Sequence, residues 1–109
     1  MLKVDSGYNI SLTRGDTGIF TIELVDDEGE PYTPKSGDTL RFAMAKKYGV
    51  DDPLIRKSIP TDTLILQIDP EDTKDLEFDT YYYDLELTDG FGHVSTILIA
   101  KFKVTKEVY

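Results

Sequence analysis

Hydrophobic and polar residues alternate with a period of two along most of this chain, in short runs divided by turn-forming residues. That is the pattern of half-buried antiparallel strands. Across 18–25, Phe20, Ile22 and Leu24 fall on one side and Thr21 and Glu23 on the other, before Asp26-Asp27-Glu28-Gly29 turns the chain. After the turn-prone segment Pro34-Lys35-Ser36-Gly37-Asp38, residues 39–46 repeat the pattern, with Leu40, Phe42 and Met44 inward and Arg41 outward. The run 54–59 is shorter and carries Arg56 and Lys57, as suits an edge strand guarded against pairing with other chains. In 63–68, Leu64, Leu66 and Ile68 share a side.

Asp69-Pro70-Glu71-Asp72 reads as an N-cap, a proline at the first helical position and acids in the first turn. One short helical turn is therefore expected over 70–76, crossing between sheets. Residues 80–88 set Tyr81, Tyr83, Leu85 and Leu87 against Tyr82, Asp84 and Glu86, and Asp89-Gly90-Phe91-Gly92 closes a hairpin onto a last strand over 93–104. There Leu98, Ala100, Phe102 and Val104 share a face, and Ile97 and Ile99 lie opposite, so part of the outer surface is expected to be covered. With a first short strand at 10–12, about seven strands are expected at sandwich-like spacing, and the fold class is an all-β, immunoglobulin-like antiparallel sandwich. Tyr83 is placed to act as a corner tyrosine whose hydroxyl bonds to nearby backbone, although the cysteine pair and core tryptophan of antibody domains are missing.

Length and composition narrow the reading. The 109 residues fit one domain spanning 1–109, with no linker-like tract, and 31 Leu, Ile, Val and Phe residues supply a core. A net charge of −9 disfavours nucleic acid and anionic membranes as partners. Zero cysteines and a single histidine exclude disulfides, thiolate catalysis and sulfur- or histidine-rich metal sites. The start Met1-Leu2-Lys3-Val4-Asp5 is no signal peptide, and no run is long and apolar enough to span a membrane, so the expected site of synthesis is the cytoplasm.

Candidate chemistry is sparse. Arg14-Gly15-Asp16 spells an adhesion tripeptide but falls where a Gly-Asp turn is needed between strands. The acidic clusters at 26–30, 69–75 and 84–89 lack the spacing of an EF-hand, so calcium is disfavoured and no metal site or cofactor is assigned. The pair Asp69 and Asp72 lies in an exposed turn region rather than a cleft, and His93 has no triad around it. No catalytic residue is named, and no enzyme activity is expected. Tyr82, with Tyr32, Tyr48 or Phe91, offers an aromatic contact surface for protein or, alternatively, for sugar as in a carbohydrate-binding module.

Four segments carry a family resemblance as an ordered set: Arg14-Gly15-Asp16-Thr17, Phe20-Thr21-Ile22-Glu23-Leu24, Asp69-Pro70-Glu71-Asp72-Thr73 and Tyr81-Tyr82-Tyr83-Asp84-Leu85-Glu86-Leu87-Thr88-Asp89. Together, over roughly positions 10–105, the chain resembles small prophage structural proteins of Gram-positive bacteria, and is similar to the immunoglobulin-like N-terminal domain of upper baseplate proteins. The resemblance implies a virion component, built in the bacterial cytoplasm, that docks onto tail, baseplate or head proteins. Because the sequence stops at Tyr109 with no receptor-binding head, it implies an adaptor rather than a host-recognition role. Gly15, Asp69 and Pro70 become architectural residues on this reading. Tyr82, Phe91, Ile97 and Ile99, together with the edge 54–59, become the interface candidates, with other virion proteins or a further copy of the chain as partners.

Overall fold

A computed structural model describes residues 9–47 and 53–106, and the backbone of 3–4. Tyr48 lies outside the described residues. The fold is an all-β sandwich. Its strands are β1 (Lys3–Val4), β2 (Ile10–Thr13), β3 (Gly18–Thr21), β4 (Leu24–Val25), β5 (Thr39–Ala45), β6 (Ile55–Ile59), β7 (Ile65–Ile68), β8 (Asp79–Thr88) and β9 (Val94–Thr105), with one helical turn, α1 (Pro70–Thr73). The larger sheet runs β2-β9-β8-β5-β6, while β3 pairs with β7 and β1 with β4. Adjacent β5, β8 and β9 in one layer and β3 with β7 in the other reproduce the C–F–G and B–E pairings of an immunoglobulin-type sandwich.

The alternation in the sequence becomes the two faces of the larger sheet. Leu40, Phe42 and Met44 of β5, Tyr81, Tyr83, Leu85 and Leu87 of β8, and Ala100, Phe102 and Val104 of β9 are buried. They form one cluster with Ile22, Leu24, Leu66 and Ile68 from the facing layer. At its centre, Phe42 and Tyr83 rings lie 5.3 Å apart, and Tyr83 meets Phe102 edge-on at 6.4 Å.

Three expectations are corrected. The run 18–25 is not one strand: the Ile22 N–H still donates to the Leu64 carbonyl in the register of β3 with β7, but the Leu64 N–H turns back to the Pro60 carbonyl, and the pairing ends there. The sandwich is not wholly antiparallel, because β2 pairs with β9 in parallel, Ile10 opposite Phe102 and Thr13 opposite Thr105. The helical turn stops at Thr73 rather than Leu76. Tyr81 makes a corner-type bond, its hydroxyl donating to the Glu77 carbonyl at 2.8 Å, and Tyr83, two residues further along β8, lies in the ring cluster.

Motif residues hold the two layers together. Gly15, in the left-handed region at φ 81°, turns β2 into β3 and donates its N–H to Thr73 Oγ1 at 2.8 Å, which ties that turn to α1. Thr73 is fully buried. Pro70 occupies the first turn of α1, and the Asp69 N–H donates to the Asp72 carboxylate at 2.7 Å, half of a capping box. As expected, β6 is an edge strand. Lys57, on the same face as Phe42, points inward and reaches Asp72 at 2.7 Å and Asp69 at 3.2 Å. An inward charge on an edge strand opposes pairing with another sheet. Its bond to Asp72, foremost, holds the Lys57 ammonium above its ordinary pKa.

Two outcomes follow. Phe102→Ala should lower unfolding free energy by about 3–5 kcal/mol in urea denaturation, since a fully buried ring shared by two others leaves a cavity. Burial pushes the Tyr83 hydroxyl up to about 12. Because the fold favours the neutral phenol, stability should be intact below pH ~10 and fall by roughly 2–3 kcal/mol as pH rises towards 12; this is read by denaturation at each pH alongside phenolate absorbance.

Candidate interface

The side chains available to a partner are those that β8, β9 and β5 point away from the core. Register puts Ala43, Asp84 and Ile99 in one row across the larger sheet, with Arg56 beside Ala43. Tyr82 and Lys101 form the next row, and Arg41 and Glu86 the row on the other side. Arg41 bridges Glu86 at 2.7 Å and Asp84 at 3.4 Å, so the centre of the face is internally compensated. Arg56, Lys101 and Lys103 carry no ion pair among the described residues. On a chain of net charge −9, this face therefore carries four cations against two anions: Arg41, Arg56, Lys101 and Lys103 against Asp84 and Glu86.

The structure brings some interface candidates together and removes others. Ile99 is 56 % exposed on the outer face, diagonal to half-buried Tyr82. Ile97 is the correction: it is buried at 6 % exposure, not outward. The cause is a β-bulge in β9. Leu85 faces Leu98 and Glu86 faces Thr96, so Ile97 is the extra residue, and both it and Leu98 turn inward. The same register shift sets Val94, 59 % exposed, on the outer face opposite Thr88. Val94 was missed by period-two counting, because a bulge reverses the parity of every position on its far side.

The remaining candidates lie towards the β8–β9 connection or are occupied. Phe91, at the tip of that hairpin, is 89 % exposed. Tyr32 is half-buried against the core, with its hydroxyl donating to Asp38 at 2.8 Å; burial, then that bond, raises its pKa. Of the three candidate rings that are described, only Phe91 is open to solvent, so no flat aromatic platform for sugar stacking is assembled from them. Arg14-Gly15-Asp16 forms a tight connection rather than a protruding loop. The Arg14 guanidinium lies 4.1 Å over the Phe78 ring and Gly15 is bonded to Thr73, which ends the adhesion reading.

The acidic positions weighed for chemistry are in structural use. Asp69 accepts from the Gln67 amide at 2.9 Å and from Lys57, and these bonds, Gln67 first, lower its pKa. His93 faces Asp89 across the hairpin at 3.1 Å. Among the described residues, no group of three or more His, Cys, Asp or Glu side chains could hold a metal ion. No described helix is long and apolar enough to cross a membrane.

The hairpin leans on the loop before β5. At Gly37, φ is 91°, and a Cβ there would come within 3.0 Å of the Gly90 Cα. Gly37→Ala should therefore cost about 1–2 kcal/mol in thermal or urea unfolding, through left-handed strain and displacement of Gly90 backbone. Known protein-family models give no match to the chain, and no curated protein shows significant similarity to it.

Proposed function

We propose that this chain is a non-enzymatic assembly module of a phage or prophage virion, a tail-, baseplate- or head-associated adaptor that joins other virion subunits through protein–protein contacts. The observation that carries the reading is the outer face of the larger sheet. There, exposed Ile99 has Tyr82 diagonal to it and Lys101 next on its own side of β9, with Lys103 beyond and Arg56 at the far end of the Ile99 row, three cations without ion pairs among the described residues, while exposed Val94 extends the face towards the hairpin. Aromatic, aliphatic and arginine side chains at the centre of a patch are what protein interfaces enrich. Four interstrand spacings of about 4.8 Å and the ten residues of β8 at about 3.3 Å give a face of roughly 600 Å², near the ~800 Å² that one partner buries in a standard complex.

The virion part of the reading rests on the resemblance alone. Gly15, Asp69, Pro70 and Thr73 support the architecture, which leaves the sheet face and the hairpin for contact. Electrostatic attraction at the cationic face orients an acidic partner while the rest of the surface repels it.

Particles purified from an induced lysogen should contain the protein, and the tagged chain should capture a defined tail, baseplate or head subunit from dissociated particles. Ile99→Asp should weaken that capture at least tenfold without changing the fold. A chain absent from the particles would remove the proposal.

A further inference from the structure

Phe91 is the most exposed large apolar side chain described, yet the turn that carries it is held by a set of hydrogen bonds. Asp89 is the hub. Its Oδ1 accepts the N–H of Phe91 and of His93, each at 2.9 Å, and its Oδ2 lies 3.1 Å from His93 Nδ1. The Asp89 N–H donates to the His93 carbonyl, and the Gly92 N–H donates to the Asp89 carbonyl, both at 3.0 Å. Gly90 abuts Gly37, and the loop carrying Gly37 is itself fixed by buried Asp38, which accepts from the Tyr32 hydroxyl and the Lys35 N–H at 2.8 Å each. The phenyl ring's ring neighbour is His93, 6.3 Å away.

A hydrophobic side chain on a mobile loop loses much of its binding gain to ordering. A side chain carried on a turn that is already ordered loses less. Fixed aromatic side chains that enter a pocket are the residues that dominate interface energies. We infer that Phe91 is a preorganised anchor that inserts into an apolar pocket on a partner protein whose rim carries lysine or arginine. The projecting tip requires a concave acceptor. The rim charge follows from Asp89 at the base of the tip and from the chain's net charge of −9. The same charge opposes insertion into an anionic lipid surface. This inference rests on the reading of the chain as a protein-binding module, and adds to it the anchor and the chemistry of its acceptor.

The test is a selection of disulfide-constrained random peptides displayed on particles against the immobilised protein, followed by affinity measurement on the enriched peptides. Enriched peptides should combine apolar residues with Lys or Arg, and bind Phe91→Ala at least tenfold more weakly than wild type. They should also bind Asp89→Ala several-fold more weakly, since that variant keeps the ring and loosens the turn. Phe91 is exposed, so Phe91→Ala should keep the circular dichroism and melting temperature of the parent. Peptides that bind Phe91→Ala as tightly as wild type but lose affinity for Ile99→Asp would overturn the anchor and leave the binding-module reading in place. A selection that enriches nothing would count against both. Phe91-dependent binding to phosphatidylserine vesicles in place of peptides would also overturn it.

Discussion

Three aromatic rings from three adjacent strands, Phe42 of β5, Tyr83 of β8 and Phe102 of β9, meet at the middle of this protein, and the rest of the architecture is arranged around their contact. Their meeting fixes the register of the larger sheet, because a slip of any one of these strands by one residue would turn its ring outward and break the contact. It also sets the height at which Leu66 and Ile68 must cover the face, and so the position of the short β3–β7 layer. The crossover through α1 then has one task, to return the chain from that layer to β8. Lys57, Asp69 and Asp72 pin it on one side, and Gly15 with Thr73 on the other.

The parts of this arrangement that were legible in the sequence are those governed by local periodicity. Strands β5 and β8 alternate without interruption, so Phe42, Tyr81, Tyr83, Leu85 and Leu87 could be assigned to the core directly. The Asp-Pro-Glu-Asp segment announced its helical turn through capping chemistry, and the Asp89–Gly92 turn its hairpin. What stayed hidden depends on partners distant in the chain. The parallel pairing of β2 with β9 joins residues more than ninety positions apart and leaves no local mark. The β9 bulge is decided by how β9 meets β8, so Ile97 and Val94 exchanged places relative to a strict alternation.

The candidate interface shows the same division. Ile99 and Phe91 could be singled out from the sequence, one by strand parity and the other by its place in a turn. The full cationic setting of Ile99 could not, since Lys101 lies two residues along the same strand but Arg56, from β6, joins the row of Ile99 only in the folded sheet. The bulge also separates the two halves of β9 functionally. On one side the alternation serves the core through Phe102 and Val104, and on the other it brings Val94 out beside the hairpin.

The parallel pairing of β2 and β9 has a mechanical consequence. The chain enters β2 at Ile10, beside Phe102, and leaves β9 at Thr105, beside Thr13, so the entry and exit points lie at opposite ends of the paired segment. Tension applied along the backbone through these two points pulls the strands lengthwise past each other. The four residue pairs then bear the load together instead of opening one after another. Strands β2 and β9 thus form a clasp loaded in shear, the geometry that best resists being drawn apart lengthwise.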